Sequence, residues 1–175
     1  MEKDLPRRLA AGDTAAYQEA YDLYGAVLFR TAMRLLGGRA DAEDAVQEVF
    51  AALVRSRDRL IRVTNVKAYL FVSLRHVAGR MYRRQQNQAA TGLDETKCPA
   101  DAGIHAPVDD GETAERLWRV VAGLPAQQRE VLALKIQGEL TFKEIGAICG
   151  ISPNTAASRY RYALEKLKQM MEERP

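Results

Sequence analysis

Asn154, Ser158 and Arg161 fall on one face of a C-terminal helical stretch and carry the most specific chemistry in this 175-residue sequence. A carboxamide, a hydroxyl and a guanidinium near a helix start suit base edges and phosphates of duplex DNA. Arg159 and Tyr162 flank them. The free amides that open such a helix also attract phosphate. The stretch Thr141 to Lys168 reads as a short helix, a tight turn at Cys149-Gly150-Ile151 and a longer helix. That is the arrangement that presses a recognition helix into a major groove. An ordinary helical hairpin with a polar face is the plainer alternative.

Enzyme chemistry finds little support. There are two histidines, His76 and His105, in different segments. No Gly-rich phosphate loop and no nucleophile elbow occur. Cys98 and His105 lie seven apart with no second pair, a poor zinc pattern. Cys149 suits a small buried apolar group. The expectation is no catalysis, no cofactor, no metal and no small-molecule substrate. Two cysteines do not make a disulfide framework, so a reducing cytoplasm is expected. No signal peptide and no run of about 18 apolar residues appear, so no insertion into a membrane is expected.

The elements that must position these groups are helical. Asp13 is a suitable N-cap for a helix whose apolar stripe runs through Tyr17, Tyr21, Tyr24, Val27, Leu28, Ala32, Leu35 and Leu36. Gly37-Gly38 stops it. Asp41 starts a second helix, with Asp44 three residues on as in a capping box. Its stripe is Ala45, Val46, Val49, Phe50, Leu53 and Val54. Residues 55–64 read as a loop with short helical pieces. Asn65 caps a long third helix with Val66, Leu70, Leu74, Val77 and Met81 inward. Arg75, Arg80, Arg83 and Arg84 load its later turns with charge.

The pattern fails over about 87–111, which reads as a linker, flexible in the free protein. Helical signals return at Glu112, with Leu117, Val120, Val121 and Leu124 forming one stripe. Pro125 suits a first helical position. The helix after it offers Val131, Leu132, Leu134 and Ile136 to the core. Thr141 and Glu144 make a capping box, with Ile145 and Ile148 inward. Ser152 and Pro153 open the last helix, whose buried side is expected to hold Ala156, Tyr160, Ala163, Leu164, Leu167 and Met171. No convincing strand appears, so the fold class is all-α.

The net charge of +3 conceals blocks. Residues 1–90 carry 15 Lys and Arg against 10 Asp and Glu; residues 91–112 carry 1 against 6; residues 113–175 carry 10 against 7. Basic blocks around an acidic one suit phosphate contact, although a modest excess also serves solubility.

The run Ala40-Asp41-Ala42-Glu43-Asp44-Ala45-Val46-Gln47-Glu48-Val49-Phe50 resembles the polymerase-binding helix of the sigma-70 family, in particular its extracytoplasmic-function group. Leu124-Pro125-Ala126-Gln127-Gln128-Arg129-Glu130-Val131 and Thr141-Phe142-Lys143-Glu144-Ile145-Gly146 resemble the opening of that group's fourth domain. Ser152-Pro153-Asn154-Thr155-Ala156-Ala157-Ser158-Arg159 resembles its recognition helix. The resemblance covers about residues 10–172 with the motifs in order.

It implies two small helical domains, sigma region 2 over 10–86 and a region 4 helix-turn-helix over 112–173, joined by the acidic linker 87–111. It implies a transcription initiation factor that brings core RNA polymerase to minus-10 and minus-35 promoter elements, for a stress or envelope-response regulon. A free-standing helix-turn-helix regulator is the alternative. The implied partners are promoter DNA, the clamp helices and flap of core polymerase, and an anti-sigma factor.

On this resemblance Asp41, Asp44, Gln47, Glu48 and Phe50 are the polymerase-binding candidates. Asp41 and Asp44 serve equally as caps, and Phe50 suits core or interface. The loop of about 57–64 and the third helix would meet the minus-10 element through Arg62, Asn65, Lys67, Tyr69, Arg75, His76 and Arg80. An aromatic offers a stacking face and arginines follow a backbone; Tyr69 also suits the core, and the arginines a solvated face. Asn154, Ser158 and Arg161 would read minus-35 bases, with Lys143, Thr155 and Arg159 on phosphates. The acidic linker would thread basic polymerase channels, or serve as a plain spacer. Asn154, Ala156, Ala157, Tyr162, His76 and Arg80 depart from residues common in the family, which bears on promoter sequence rather than basic activity.

Overall fold

A computed structural model of the chain describes residues 4–91 and 120–172. Among these residues the structure is helical without strands. The first helix, α1 (Leu5–Ala10), is one that hydrophobic period did not reveal. It buries Leu5 and Leu9 fully against the core. Arg8 anchors it, its guanidinium 2.8 Å from Asp13 and 2.6 Å from Glu19. The Tyr17 hydroxyl donates to the Leu9 carbonyl at 2.8 Å. Six residues cannot sustain a helix alone, so these tertiary contacts make it.

The helix α2 (Thr14–Leu36) begins as expected: the Asp13 carboxylate accepts from the Ala15 amide at 2.9 Å. It ends at Gly37, whose φ of 79° only glycine adopts without cost. Tyr24, Leu28, Ala32 and Leu36 are buried along it. Tyr21 is not: it stands 54% exposed at the edge of the stripe.

The next helix, α3 (Arg39–Arg55), starts two residues before Asp41, with Gly38 as N-cap and no side-chain cap. The Asp41–Asp44 capping box is therefore not formed; Asp41 lies inside the first turn, where its charge suits the helix dipole. Ala42, Ala45, Val46, Val49 and Leu53 are buried. A single turn, α4 (Arg57–Leu60), pins the following loop through fully buried Leu60. The long helix α5 (Val66–Thr91) is capped by Asn65, whose side chain accepts from the Ala68 amide at 2.8 Å. It continues past residue 87, where the apolar period stops. Helices α2, α3 and α5 pack on one another, and α1 lies against α4. Leu28, Leu53, Leu70 and Leu74 are fully buried; each contributes about 1.5–3 kcal/mol by leaving water.

The expected linker over 92–111, Cys98, His105 and Leu117 lie outside the described residues. The chain resumes with Val120 and Val121 buried and Leu124 beneath α6 (Ala126–Ile136). Pro125 is the N-cap of α6 rather than its first residue. Ile136 is exposed, not core. Lys135 takes the inner place instead, donating to the Leu140 carbonyl at 3.1 Å with its ammonium 5.0 Å from the centre of the Phe142 ring.

The helix α7 (Phe142–Cys149) opens with a complete capping box between Thr141 and Glu144. Gly150 closes it in the left-handed conformation, and α8 (Pro153–Glu172) follows, capped by Ser152 Oγ 3.0 Å from the Thr155 amide. Ala156, Ala163 and Leu167 are buried on α8, whereas Leu164 and Met171 are exposed. Met170 packs inward instead, beside Val120, Val121 and Leu124.

The two halves of the sequence share one core. Val131, Leu134, Leu140, Ile145, Ile148 and Ala156 are continuous with the buried residues of α2, α3 and α5. Helix α6 lies on α2 and α7 on α5. Gly138 permits the approach, since a methyl group there would sit 3.1 Å from the Phe71 ring.

Candidate polymerase and nucleic-acid interfaces

Three groups of side chains occupy three places on this framework. The outer face of α3 carries Asp44, Gln47 and Glu48, all exposed, while Asp41 is half-buried in the first turn. Phe50 is half-buried, and its ring meets Tyr21 at 5.1 Å between centroids and 58° between planes. Phe50 thus packs against the core and leaves an aromatic edge beside the acidic row. Tyr21, expected on the stripe by its period, belongs instead to this edge. Val54, expected on the buried stripe, is instead exposed on the same helix.

The second group lies on α5 and the loop before it. Arg62 and His76 are exposed, and so is Asn65, whose side-chain oxygen is occupied as the cap. Tyr69 is half-buried against the core. Of the cations, Arg75 and Arg80 each pair with a carboxylate. Arg75 Nε lies 2.7 Å from Glu130 of α6. Arg80 pairs with Glu48, which joins a candidate of this group to one of the first. Lys67 shares a cleft of about 280 Å³ with Asn65 and Glu144 of α7. Glu144 is held below the usual carboxylate range first by the Thr141 amide, then by the Thr141 hydroxyl, with smaller effects of Lys67 and Lys135. Ile61, 72% exposed between Arg59 and Arg62, is an apolar tip that a loop without period did not advertise.

The third group is on α7 and α8. Lys143, Asn154, Thr155 and Arg161 are exposed, and Ser158 and Arg159 are half-buried. Arg161 Nη2 lies 3.3 Å from Ser158 Oγ, so the guanidinium is held over the polar face. Thr155 Oγ1 is 2.8 Å from Ser152 Oγ and so belongs to the helix cap. Tyr162 stands 60% exposed beside Arg161. Cys149, at the turn, is a thiol that burial pushes up to about 11, with Glu130 adding in the same direction. Such a thiol is a poor nucleophile at neutral pH. Among the described residues no cluster of His, Cys, Asp and Glu suited to a metal occurs, and no helix is long and apolar enough to cross a membrane.

Residues 20–88 match the family model of Sigma-70 region 2, and residues 114–167 match that of Sigma-70, region 4. The chain is 33% identical over 143 residues, 80% of each sequence, to the RNA polymerase sigma factor CarQ of Myxococcus xanthus. It is 33% identical over 174 residues to the ECF RNA polymerase sigma factor SigF of Caulobacter vibrioides, covering 97% of this chain and 93% of that one. The chain belongs to the ECF group of sigma-70 factors.

The function of this sigma factor is promoter-directed transcription initiation. Its fold is shared with solved structures. CnrH in complex with the cytosolic domain of CnrY superposes with a TM-score of 0.75 at 19% identity, over 99% of both chains. The sigma factor RpoE in complex with the anti-sigma factor NepR from Bartonella quintana gives 0.73 at 24% identity, over 91% of this chain and 98% of that one. The sigma factor keeps region 2 in α2, α3 and α5, and the helix-turn-helix of region 4 in α7 and α8.

Proposed function

We propose that this sigma factor engages core RNA polymerase through the outer face of α3 and promoter DNA through α5 and α8. In this reading Asp41, Asp44, Gln47, Glu48 and the Phe50–Tyr21 edge meet the polymerase clamp helices. Arg62, Asn65, Lys67, Tyr69, Arg75, His76 and Arg80 meet the minus-10 element. Asn154, Ser158 and Arg161 read minus-35 bases, with Lys143, Thr155 and Arg159 toward phosphates. The functional units are 10–86 and 112–173, with 87–111 as an acidic connection. The protein works in the cytoplasm without chemistry of its own, on a stress or envelope-response regulon, and is held in check by an anti-sigma factor.

One observation supports this most: α3 turns an acid-rich row outward on one side of the molecule while α8 turns amide, hydroxyl and guanidinium groups outward on another. The first suits a protein surface carrying cations, the second suits DNA. Asp44→Arg is the cleaner polymerase test, because Glu48 is tied to Arg80. Core polymerase immobilised by another subunit is expected to retain the wild-type chain and lose the variant, whose helicity stays unchanged by circular dichroism. Equal retention of both would remove α3 from the polymerase interface.

A further inference from the structure

Helix α5 carries two adjoining rows of side chains in its later turns. His76, Arg80 and Arg83 follow one another by steps of four and three, and Arg75, Gly79 and Tyr82 do the same one residue earlier. Both rows line one cleft of about 490 Å³ between α5 and α6, whose other wall carries Arg129 and Glu130. Small-molecule sites occupy about 300–1,000 Å³, so the volume suits one small ligand.

Charge decides the class of that ligand. Two of the cations have carboxylates: Glu130 takes Arg75, and Glu48 takes Arg80. His76, Arg83 and Arg129 form no ion pair among the described residues. Arg129 Nη1 donates instead to the Ala122 carbonyl at 3.0 Å, which fixes where its guanidinium sits. The cleft therefore holds more cations than its own acids neutralise, and like charges so placed repel. An anion with several oxygens relieves the repulsion, and guanidinium forks grip phosphate through paired hydrogen bonds.

Gly79 supplies a separate observation. It lies in the middle of α5 with helical backbone and no positive φ. A methyl group there would meet nothing within 4 Å, so no close approach requires glycine. A glycine in mid-helix weakens the helix relative to alanine. Here it leaves bare a part of the cleft wall that any side chain would narrow. Tyr82, 37% exposed one turn further on, brings an aromatic ring to the same space, and Leu35 and Ala78 add apolar surface. Arginines beside an aromatic ring suit the two ends of a nucleotide, since bases stack on aromatic faces.

We propose that this cleft binds a nucleoside polyphosphate, its phosphates on Arg80, Arg83 and Arg129 and its base against Tyr82. Arg80 is shared with the proposed minus-10 surface, whereas Gly79, Tyr82, Arg83 and Arg129 belong to the ligand alone. A free nucleotide fills a cleft of this size; a longer strand would follow the exposed cations of α5.

The test is calorimetric titration of the full chain with ATP and with GTP, without divalent ions, at about 0.1 M salt, where distant charges are screened. Saturable binding at one site is expected, with tripolyphosphate weaker and the nucleosides unbound. Gly79→Leu fills the cleft and leaves circular dichroism unchanged. It is expected to weaken nucleotide binding by at least about tenfold, and to leave binding of a 12-nucleotide single strand within about twofold. Arg83→Ala, at an exposed site, should lose about tenfold with one charge-assisted contact, against less than about twofold for Arg30→Ala, an exposed arginine of α2 outside the cleft. Tyr82→Ala should bring the nucleotide down to the affinity of tripolyphosphate. No saturable binding of either nucleotide, or affinity unchanged in Gly79→Leu or in Arg83→Ala, overturns the site. Equal losses of nucleotide and strand in Gly79→Leu make the cleft part of the DNA surface and overturn a separate ligand. Tripolyphosphate bound by the wild type as tightly as the nucleotides removes the base, and with it the assignment to a nucleotide.

Discussion

Changing Gly146 to alanine probes the angle of the helix-turn-helix. The last half of α7 meets the start of α8 at this residue. A methyl group there would lie 2.7 Å from the Ile151 carbonyl oxygen, 3.3 Å from the Pro153 nitrogen and 3.4 Å from the Ser152 carbonyl carbon. All three are backbone atoms of the turn, so no side chain can swing aside. Non-bonded carbons rest at about 3.5–4.0 Å, and the turn must give by several tenths of an ångström. Overpacking of this kind costs about 1–3 kcal/mol. Alanine returns about 1 kcal/mol of helix propensity. With a backbone oxygen this close the strain should outweigh that gain, and a net loss of up to about 2 kcal/mol is expected.

Gly79→Ala in α5 is the matched control, because a methyl group there meets nothing within 4 Å. It should stabilise by about 0.5–1 kcal/mol. The same chemical change is thus expected to move urea midpoints in opposite directions. Affinity for a minus-35 duplex should fall for Gly146→Ala and stay unchanged for Gly79→Ala. A Gly146→Ala protein that unfolds within about 0.5 kcal/mol of Gly79→Ala would refute the contact argument.

Leu9→Ala tests whether α1 belongs to the folded body: a fully buried leucine should cost about 2–5 kcal/mol in urea unfolding. Thr141→Ala removes one partner of the capping box and should cost about 1 kcal/mol by the same measurement. Glu144 and Asp13 both sit below the usual carboxylate range, Glu144 chiefly through the Thr141 amide and Asp13 chiefly through Arg8. Their stabilisation is complete above the unfolded values of about 4 and is lost as pH falls through the lower folded ones. Thermal midpoints should therefore drop on acidification below about pH 4, and less steeply in Glu144→Gln. Arg161→Ala should weaken binding to a minus-35 duplex by about 1–3 kcal/mol in a fluorescence titration; unchanged affinity would take Arg161 off the DNA.

Much of the fold was legible because its signals are local. Asp13, Asn65, the Thr141–Glu144 pair and Gly150 each act within four residues, and each stands where its spacing puts it. Helix starts without such a device shifted: α3 begins at Arg39, and the acids Asp41 and Asp44, whose spacing suggests a capping pair, lie inside it. Amphipathic stripes gave the right face but not its edges. Tyr21, Ile136, Leu164 and Met171 lie one step off the stripe or beyond the partner helix, and periodicity does not carry the length of the neighbour. The short α1 and the Arg75–Glu130 contact were not legible at all. They depend on residues distant in sequence, the latter 55 positions apart, and leave no period behind. The candidate residues were legible largely through the motifs, while the intramolecular partners of Arg75 and Arg80, and the cleft that Lys67 shares with Glu144, came only with the structure.

Transcription by purified core polymerase on a library of genomic fragments, with and without the full-length chain and with start sites sequenced, addresses the account most directly. Starts confined to a subset of fragments sharing an upstream element, present only with the chain and absent with Asp44→Arg, are the predicted result. Starts indistinguishable from those of core polymerase alone would contradict it.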